Sequence, residues 1–222
     1  MSDAAAVAGD AASSQAFALE ALALDGVERV VSRCREITRR EALAATGDDA
    51  QHRLHAFAWL ATTAEVLRQL LGWSQRLAET GRLGETETLI MRIGFGEYLA
   101  QIVGGIPMSQ LECARPGDFG LTVAEVMSML GDSAQVLMAG GDEPKRRLAA
   151  LVHPISDDLT GGDAGEDETI AQFRAEMRRF SKLEILPYAH RWHLEDRYIP
   201  MEVIGDLREL GVFGLTVPEA YG

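Results

Sequence analysis

The chain has 222 residues, of which 47% are hydrophobic and 25% charged, and its formal net charge at pH 7 is -13. This composition is typical of a globular protein long enough for one or two small domains. The strong negative charge argues against nucleic-acid binding, which requires clustered Lys and Arg, and against binding to anionic membranes.

Residues 1–14 are mainly Ala, Ser, Gly and Asp without a periodic apolar face, which predicts a flexible N-terminus. The first basic residue is Arg29, so this start lacks the charged region of a secretory signal and is also unlike an Arg-rich transit peptide. No apolar run reaches the roughly 18 to 20 residues that span a bilayer. We therefore expect a cytoplasmic protein without a membrane span.

From about Ser14, apolar residues recur at steps of three and four, which predicts an amphipathic helix. Its apolar positions are Phe17, Leu19, Leu22, Val27, Val30, Val31, Cys34, Ile37 and Leu43. Asp25-Gly26 is predicted to interrupt this helix. Gly47-Asp48-Asp49 is predicted to end it and to supply an acidic N-cap for the next helix.

The next helix is predicted over 52–77 and is the longest. Its apolar stripe comprises Leu54, Phe57, Ala58, Ala61, Ala64, Leu67, Leu70 and Leu71. Gly81 and Gly84 mark a break, after which the helical period resumes over 85–103. The run Gly104-Gly105-Ile106-Pro107 predicts a firm stop.

Shorter helices are predicted at about 122–130, 132–139 and 143–152, separated by Gly131 and by Gly140-Gly141. Pro144 fits the first turn of the last helix, because a missing N–H loses no helical bond there. No segment alternates apolar and polar residues long enough to predict a central strand. The predicted fold class is all-α, with a helical extension module over 15–156.

The segment 157–168, DDLTGGDAGEDE, holds six acidic residues, three glycines and no basic residue. Such a composition neither packs a core nor forms a stable helix, so it predicts an acidic, Gly-rich linker. It separates the extension module from a second helical segment over 169–222.

The sequence of that second segment predicts two helices whose ends are marked by proline or glycine. The apolar positions of the first are Phe173, Met177, Phe180, Leu183 and Leu186, and those of the second are Val203, Ile204, Leu207 and Leu210. Pro187 is predicted to kink or end the first helix. Pro200 is predicted to open the second at its first position, and Gly211 to close it. These features by themselves indicate no chemistry.

Three motifs give this segment its character. An amphipathic helix runs into Ile-Leu-Pro at 185–187, an Asp-x-x-Ile-Pro turn follows at 196–200, and a helix closes on Glu-Leu-Gly at 209–211. The sequence then reads Gly-Leu-Thr-Val-Pro-Glu-Ala-Tyr-Gly over 214–222. This combination, about a quarter of the chain, resembles the opening segment of the acyl-CoA dehydrogenase family of flavoenzymes.

The resemblance implies the start of an N-terminal helical domain, which a middle β-domain and a C-terminal four-helix domain follow in the family. It implies FAD as cofactor and an acyl-CoA thioester as substrate. In the family a glutamate takes the α-proton while hydride leaves the β-carbon for the flavin. The family also implies a homo-oligomer that passes electrons to electron-transfer flavoprotein.

The flavin contacts and the catalytic glutamate of the family have no counterpart in this chain. The resemblance therefore assigns no catalytic, cofactor-binding or metal-binding residue here. We expect the chain to be the amino-terminal part of a longer enzyme, and to bind no FAD and show no turnover when alone. The alternative hypothesis is a non-catalytic helical interaction or assembly module that shares the family's first helices.

The long extension is similar to that of family members that oxidise a branched dicarboxylic acyl-CoA. Such an enzyme needs a cation for the free carboxylate of its substrate, preferably a forked Arg, which the sequence does not identify. Within the extension, the run Gln-Ile-Val-Gly-Gly at 101–105 resembles a Gln-x-x-Gly-Gly segment that helps hold FAD near the family's carboxyl end. Pro107 stands where that segment has glycine. A helix stop at Gly104 and Gly105 is the favoured interpretation, and a residual flavin contact is the alternative.

For the cysteines, one histidine pair and a Gly-Phe-Gly run, a structural role is favoured over a catalytic or ligand-binding role. Cys34 and Cys113 fall within helical patterns, far apart and outside any Cys-x-x-Cys, and are interpreted as small apolar residues. His52 and His55 share a helix face at a spacing that suits a metal, but no further ligand motif accompanies them. Residues 94–96, Gly-Phe-Gly, lack the third glycine and the preceding strand of a dinucleotide loop.

A polar cluster over 190–196 includes His190, His193, Glu195 and Asp196. The favoured interpretation is a helix end at which cations lie near the negative end of the dipole. The alternative is a contact near a substrate or a partner domain. Trp59 and Trp73 are interpreted as core or interface anchors on the long helix.

Overall fold

The computed structural model describes residues 17–42, 48–153, 165 and 167–221. The chain divides into two compact units, Met1–Gly165 and Glu166–Gly222. We call residues 17–153 the extension and residues 167–221 the tail. The flexible terminus over 1–14 and most of the linker over 157–168 lie outside the described residues, so both stay predictions. Leu43, assigned to the first apolar stripe, also lies outside them.

The described part of the extension consists of helices and one very short hairpin. The α-helices are α1 (Ala18–Ala42), α2 (Asp48–Glu79), α3 (Glu85–Gly104), α4 (Val123–Ala139) and α5 (Asp142–Val152). The strands β1 (Ile106–Pro107) and β2 (Cys113–Ala114) pair antiparallel, with Ile106 opposite Ala114, and a 3₁₀ turn at Pro116–Phe119 follows. The all-α fold class is confirmed. None of the described helices combines the length and the apolar character needed to cross a membrane.

The core of the extension lies between α1, α2, α3 and α4. Both α1 and α3 pack on α4 and on α2, and α5 packs on α3. The largest fully buried side chains of this core, each less than 2% exposed, include Leu67, Met91, Phe95, Leu99 and Leu130. Each such burial stabilises the fold by roughly 1.5–3 kcal/mol before entropy is counted. The extension therefore encloses a single continuous core.

The predicted interruption at Asp25-Gly26 is wrong, because α1 runs unbroken through both residues. Gly26 serves close helix packing instead: a Cβ built there would lie 2.4 Å from the Leu130 carbonyl oxygen on α4. Gly96 on α3 makes a similar approach, with its hypothetical Cβ 2.9 Å from the Leu137 carbonyl oxygen. The two glycines let α1 and α3 approach the backbone of α4 at two points.

Helix α4 is broken where the sequence predicts two helices to meet. Gly131 has φ 80° and ψ -179°, a conformation that glycine tolerates and other residues rarely adopt. Arg29 Nε of α1 donates a hydrogen bond to the Met129 carbonyl oxygen, at 3.0 Å, next to the break. A side chain from another helix therefore satisfies a carbonyl group beside the break.

The predicted apolar stripes are right in period and partly wrong in position. Leu54 was assigned to the buried stripe of α2, yet its side chain is 47% exposed, and Ala56 and Leu60 are buried. Leu19 and Leu22 of the first stripe are also exposed. These three residues lie in the first two turns of α1 and α2.

The described part of the tail is a succession of short helices. They are α6 (Glu168–Phe180), a π-helical turn (Ser181–Ile185), α7 (Leu186–Leu194), α8 (Met201–Glu209) and 3₁₀ turns at Val212–Gly214 and Glu219–Tyr221. Pro187 lies in the first turn of α7, directly after the π-helical turn, so the first predicted helix is interrupted there. Pro200 is the N-cap residue and not the first residue of α8, and Gly211 closes that helix at φ 76°.

Candidate functional site

The tail contains an apolar groove between α7 and α8, with a volume of about 310 Å³. Its lining residues are Ile185, Ala189, Trp192, His193, Arg197, Ile199, Val203, Ile204 and Leu207. Tyr188 stacks on Trp192 at the same helix, with ring centroids 5.8 Å apart and an interplanar angle of 24°. The groove can therefore accept apolar side chains, and Arg197 and His193 supply its polar atoms.

The surface of the tail is rich in exposed apolar side chains. Tyr198 is 97% exposed and Met201 is 74% exposed, one on either side of Pro200. The other large examples are Ile170, Leu183, Leu186, Tyr188, Leu194, Ile199, Leu210, Phe213, Leu215, Val217 and Tyr221. Among the described apolar residues of the tail, only Phe180 and Val203 are buried. Extended apolar surface of this kind marks a region that packs against other protein.

The polar cluster over 190–196 forms the C-terminal turn of α7, in agreement with the favoured interpretation. The Arg197 N–H donates to the Trp192 carbonyl oxygen at 2.9 Å, and Arg197 Nε lies 2.7 Å from Glu195 Oε2. Asp196 has φ 52°, which reverses the chain after the helix. Of the two histidines, His193 lines the groove. The cluster is therefore explained by the helix end, apart from this one contact with the groove.

The extension has a separate cavity between α3, α4 and α5, with a volume of about 280 Å³. Its apolar walls are Leu19, Ile93, Val136, Leu137, Met138 and Pro144. At its rim, Lys145 Nζ forms an ion pair with Glu97, and this hydrogen bond raises the pKa of Lys145 above its usual range. Arg92 Nε, also at the rim, lies 3.9 Å from the carboxylate of the buried Glu20. Each ionised rim residue thus has an ionic partner within the extension.

The Gly104-Gly105 segment, for which a flavin contact was the alternative interpretation, lies at the end of α3. The Gly105 N–H donates to the Gln101 carbonyl oxygen at 2.7 Å and so ends α3, and Gly105 has φ 133°. A Cβ on Gly105 would lie 3.3 Å from Arg115 Cγ, so the side chain of Arg115 covers this glycine. The chain then enters β1 directly. The segment is a helix stop, and no flavin contact is assigned to it.

Both histidines of the predicted pair have structural partners. His52 Nε2 lies 3.7 Å from Asp118 Oδ1, and His55 Nε2 accepts a hydrogen bond from Trp59 Nε1 at 2.9 Å. Within residues 17–42, 48–153 and 167–221, no group of three or more His, Cys, Asp or Glu side chains is placed to hold a metal ion. Trp59 is 37% exposed, so it is not a core residue.

The cysteines and the Gly-Phe-Gly run have structural roles. Burial raises the pKa of the Cys34 thiol to about 12, so this thiol stays protonated at neutral pH. Cys113 was interpreted as part of a helix, but it lies on β2 and is partly exposed. Gly94 lies inside α3, where a Cβ would be 2.6 Å from Leu70 Cδ2. The space beside Gly94 is therefore filled by a side chain of α2.

Sequence reasoning identified neither the tail groove nor the cavity of the extension. Both depend on which helices become neighbours, and helical periodicity carries no information on that point. One signal was present for the groove: Ile199, which lines it, is an apolar residue directly before Pro200 and outside either predicted stripe. For the cavity, the glycines at 140 and 141 mark a gap between helices without indicating what lines it.

Comparison with known proteins gives this geometry a context. Residues 167–222 match the family model described as Acyl-CoA dehydrogenase, N-terminal domain. The chain is 45% identical over 177 residues to (2S)-methylsuccinyl-CoA dehydrogenase from Cereibacter sphaeroides, covering 79% of this chain and 32% of that protein. It is 32% identical over 60 residues to Glutaryl-CoA dehydrogenase from Desulfococcus multivorans, covering 27% of this chain and 15% of that protein. The chain therefore spans about a third or less of the length of these relatives.

Proposed function

We propose that this chain, which belongs to the acyl-CoA dehydrogenase family, is the amino-terminal part of an FAD-dependent enzyme for α,β-dehydrogenation of an acyl-CoA thioester. The proposed substrate is (2S)-methylsuccinyl-CoA and the product is mesaconyl-CoA. Electron-transfer flavoprotein is the proposed acceptor and a homo-oligomer the proposed state, both on the basis of family membership. A cytoplasmic location is proposed on the basis of the sequence.

The substrate proposal rests on the length of the alignment between this chain and (2S)-methylsuccinyl-CoA dehydrogenase. The family model covers 167–222 alone, whereas the match to (2S)-methylsuccinyl-CoA dehydrogenase extends over 177 residues at 45% identity. Most of the aligned residues therefore belong to the extension and linker. The match to Glutaryl-CoA dehydrogenase covers only 60 residues, which is close to the length of the tail. The extension is thus what this chain shares specifically with the first relative.

The structure supports a role for the tail in packing. The apolar groove and the exposed side chains around Pro200 give the tail a surface suited to the rest of a larger protein. Gly105 is covered by the side chain of Arg115. We therefore derive no flavin-dependent step from this chain.

The test uses the complete protein, extended to the length of its relative. After purification it is expected to be yellow, and its flavin absorbance is expected to bleach when (2S)-methylsuccinyl-CoA is added. Glutaryl-CoA, a linear dicarboxylic thioester, is the matched control and is expected to bleach the flavin more slowly. A colourless complete protein would overturn the enzyme proposal and favour the non-catalytic assembly module. Faster bleaching by glutaryl-CoA would overturn the substrate proposal alone.

A further inference from the structure

An apolar patch lies beside the cavity of the extension. Leu19 of α1 and Val136 of α4 both line that cavity, and their side chains are 43% and 56% exposed. Leu22 lies one helical turn after Leu19 on α1 and is 55% exposed. We call Leu19, Leu22 and Val136, together with the cavity, the apolar patch. It combines a recess with side chains that project beside it.

The charges around the patch disfavour an ionised small ligand. Lys145 is paired with Glu97, and Arg92 lies beside the buried Glu20, so a ligand would have to displace an existing partner. The apolar surface also continues beyond the cavity onto Leu22, which a ligand inside the cavity would leave exposed. Both features favour a protein surface as the occupant of the patch.

The comparison indicates which protein surface this is. In the relative from Cereibacter sphaeroides, the residues aligned to this chain are 32% of one polypeptide, so the extension and the remainder are covalently joined there. Covalent linkage gives the second surface a high effective concentration, about millimolar for short flexible linkers. An interface within one chain can therefore be as small as roughly 600 Å², whereas separate partners need about 1,000 Å² or more. A patch of three side chains and a cavity is small, and it therefore suits an interface within one chain.

From these observations we infer that the apolar patch docks the extension onto the part of the same polypeptide that follows the tail. This inference rests on the proposed function, because it requires the longer protein. The extension then acts as an intramolecular cap that is held by Leu19, Leu22 and Val136. The partner surface is an apolar one without an unpaired charge, which matches the paired charges at the rim of the patch.

The test uses the complete protein with a protease cleavage site inserted in 157–168. After cleavage, the wild-type extension is expected to bind the remainder with a Kd of about 1 mM or tighter in a nuclear magnetic resonance titration, because the intact chain supplies about that effective concentration. The variant Leu22→Lys with Val136→Lys is expected to bind at least about tenfold more weakly, because each Lys places a charge in an apolar contact. Leu54→Lys is the matched control, since Leu54 is 47% exposed on α2 and outside the patch, and it is expected to bind as tightly as the wild type.

Each outcome decides the inference. Absence of binding by the wild-type extension at about millimolar concentration would overturn it, as would equal weakening by Leu54→Lys. If the released extension forms dimers that the patch variants abolish, the occupant is a second copy and the inference is wrong. Circular dichroism of the uncleaved variants shows whether their helices are intact, which separates lost docking from lost folding.

Failure of the inference and failure of the proposed function give different results. Dehydrogenase activity with a freely dissociating extension contradicts the docking alone. A colourless, inactive protein whose extension stays bound contradicts the enzyme alone. The two measurements can be made on the same cleaved sample.

Discussion

The extension and the tail both contain amphipathic helices, yet they bury their apolar side chains to very different degrees. In the extension, α1 to α4 enclose a continuous core. In the tail, only Phe180 and Val203 are buried among the described apolar residues, and aromatic side chains such as Tyr198 are almost fully exposed. Helical periodicity therefore indicates which face of a helix is apolar, but not whether the same chain supplies the surface that covers it.

Substituting one phenylalanine in each unit tests this contrast most strongly. Phe95→Ala in α3 is expected to lower the free energy of unfolding of the extension by about 3–5 kcal/mol, because Phe95 is fully buried and its removal leaves a cavity. Phe213→Ala in the tail is expected to change it by less than about 0.5 kcal/mol, since Phe213 is 57% exposed. Urea unfolding of residues 1–222, followed by circular dichroism, measures both. Equal effects would contradict the contrast between the two units.

Glycines provide the second test, with opposite signs expected in the two units. Gly26→Ala is expected to destabilise the extension by about 1–3 kcal/mol, because the new Cβ would collide with the Leu130 carbonyl oxygen. The matched substitution in the tail is Gly205→Ala in α8, where no atom lies within 4 Å of the new Cβ. There alanine is expected to stabilise the helix by up to about 1 kcal/mol through its helix propensity. Thermal unfolding of both variants measures the effect, and a stabilising Gly26→Ala would show that α1 and α4 are not in such close contact.

These glycines also show how much of the fold the sequence could predict. The all-α class, the helix stop at Gly104-Gly105 and the break at Gly131 follow from local signals and are confirmed. Gly26 was misinterpreted as a break because a glycine inside a helix has two explanations, a break or a close contact with another helix. Only the position of Leu130 on α4 decides between them.

The candidate site was less accessible to sequence reasoning than the fold. The resemblance of 173–222 to a known family was visible in its motifs, and the family model confirms it over 167–222. The groove of the tail is lined by Trp192 of α7 and Val203 of α8, and helical periodicity does not show that these two helices lie side by side. The apolar patch of the extension depends on Leu19 reaching Val136 across 117 positions of sequence, a distance over which no local pattern operates.

Arginines provide a smaller third test. Arg29→Met in the extension is expected to cost about 0.5–1.5 kcal/mol, because it removes the hydrogen bond between α1 and the Met129 carbonyl oxygen beside the break in α4. Arg179→Met in the tail is expected to cost less than about 0.5 kcal/mol, since Arg179 forms only an exposed pair with Glu176. Urea unfolding measures both variants. If the two substitutions lowered the free energy of unfolding equally, the exposed ion pair of the tail would contribute as much stability as the hydrogen bond between α1 and α4.

The smallest expected effect concerns the ion pair between α3 and α5 of the extension. Arg147 donates two hydrogen bonds to Glu85, at 2.6 and 2.8 Å. These hydrogen bonds lower the pKa of the Glu85 carboxyl group below its usual range. Both side chains are about half exposed, so the pair is screened by salt. A carboxylate whose pKa is lower in the folded state stabilises the fold above its unfolded pKa and loses that contribution as the pH falls through its folded pKa.

Glu85→Gln is therefore expected to lower the melting temperature slightly at pH 7 and not at all in acid, below the folded pKa of Glu85. Melting curves at low salt across this range measure the difference, and the same curves at about 1 M salt are expected to show almost none. Glu176→Gln in the tail is the control. It removes the ion pair between Glu176 and Arg179, which lies within one helix and does not connect two helices. A pH-independent difference for Glu85→Gln would mean that the side chain contributes through packing and not through its charge.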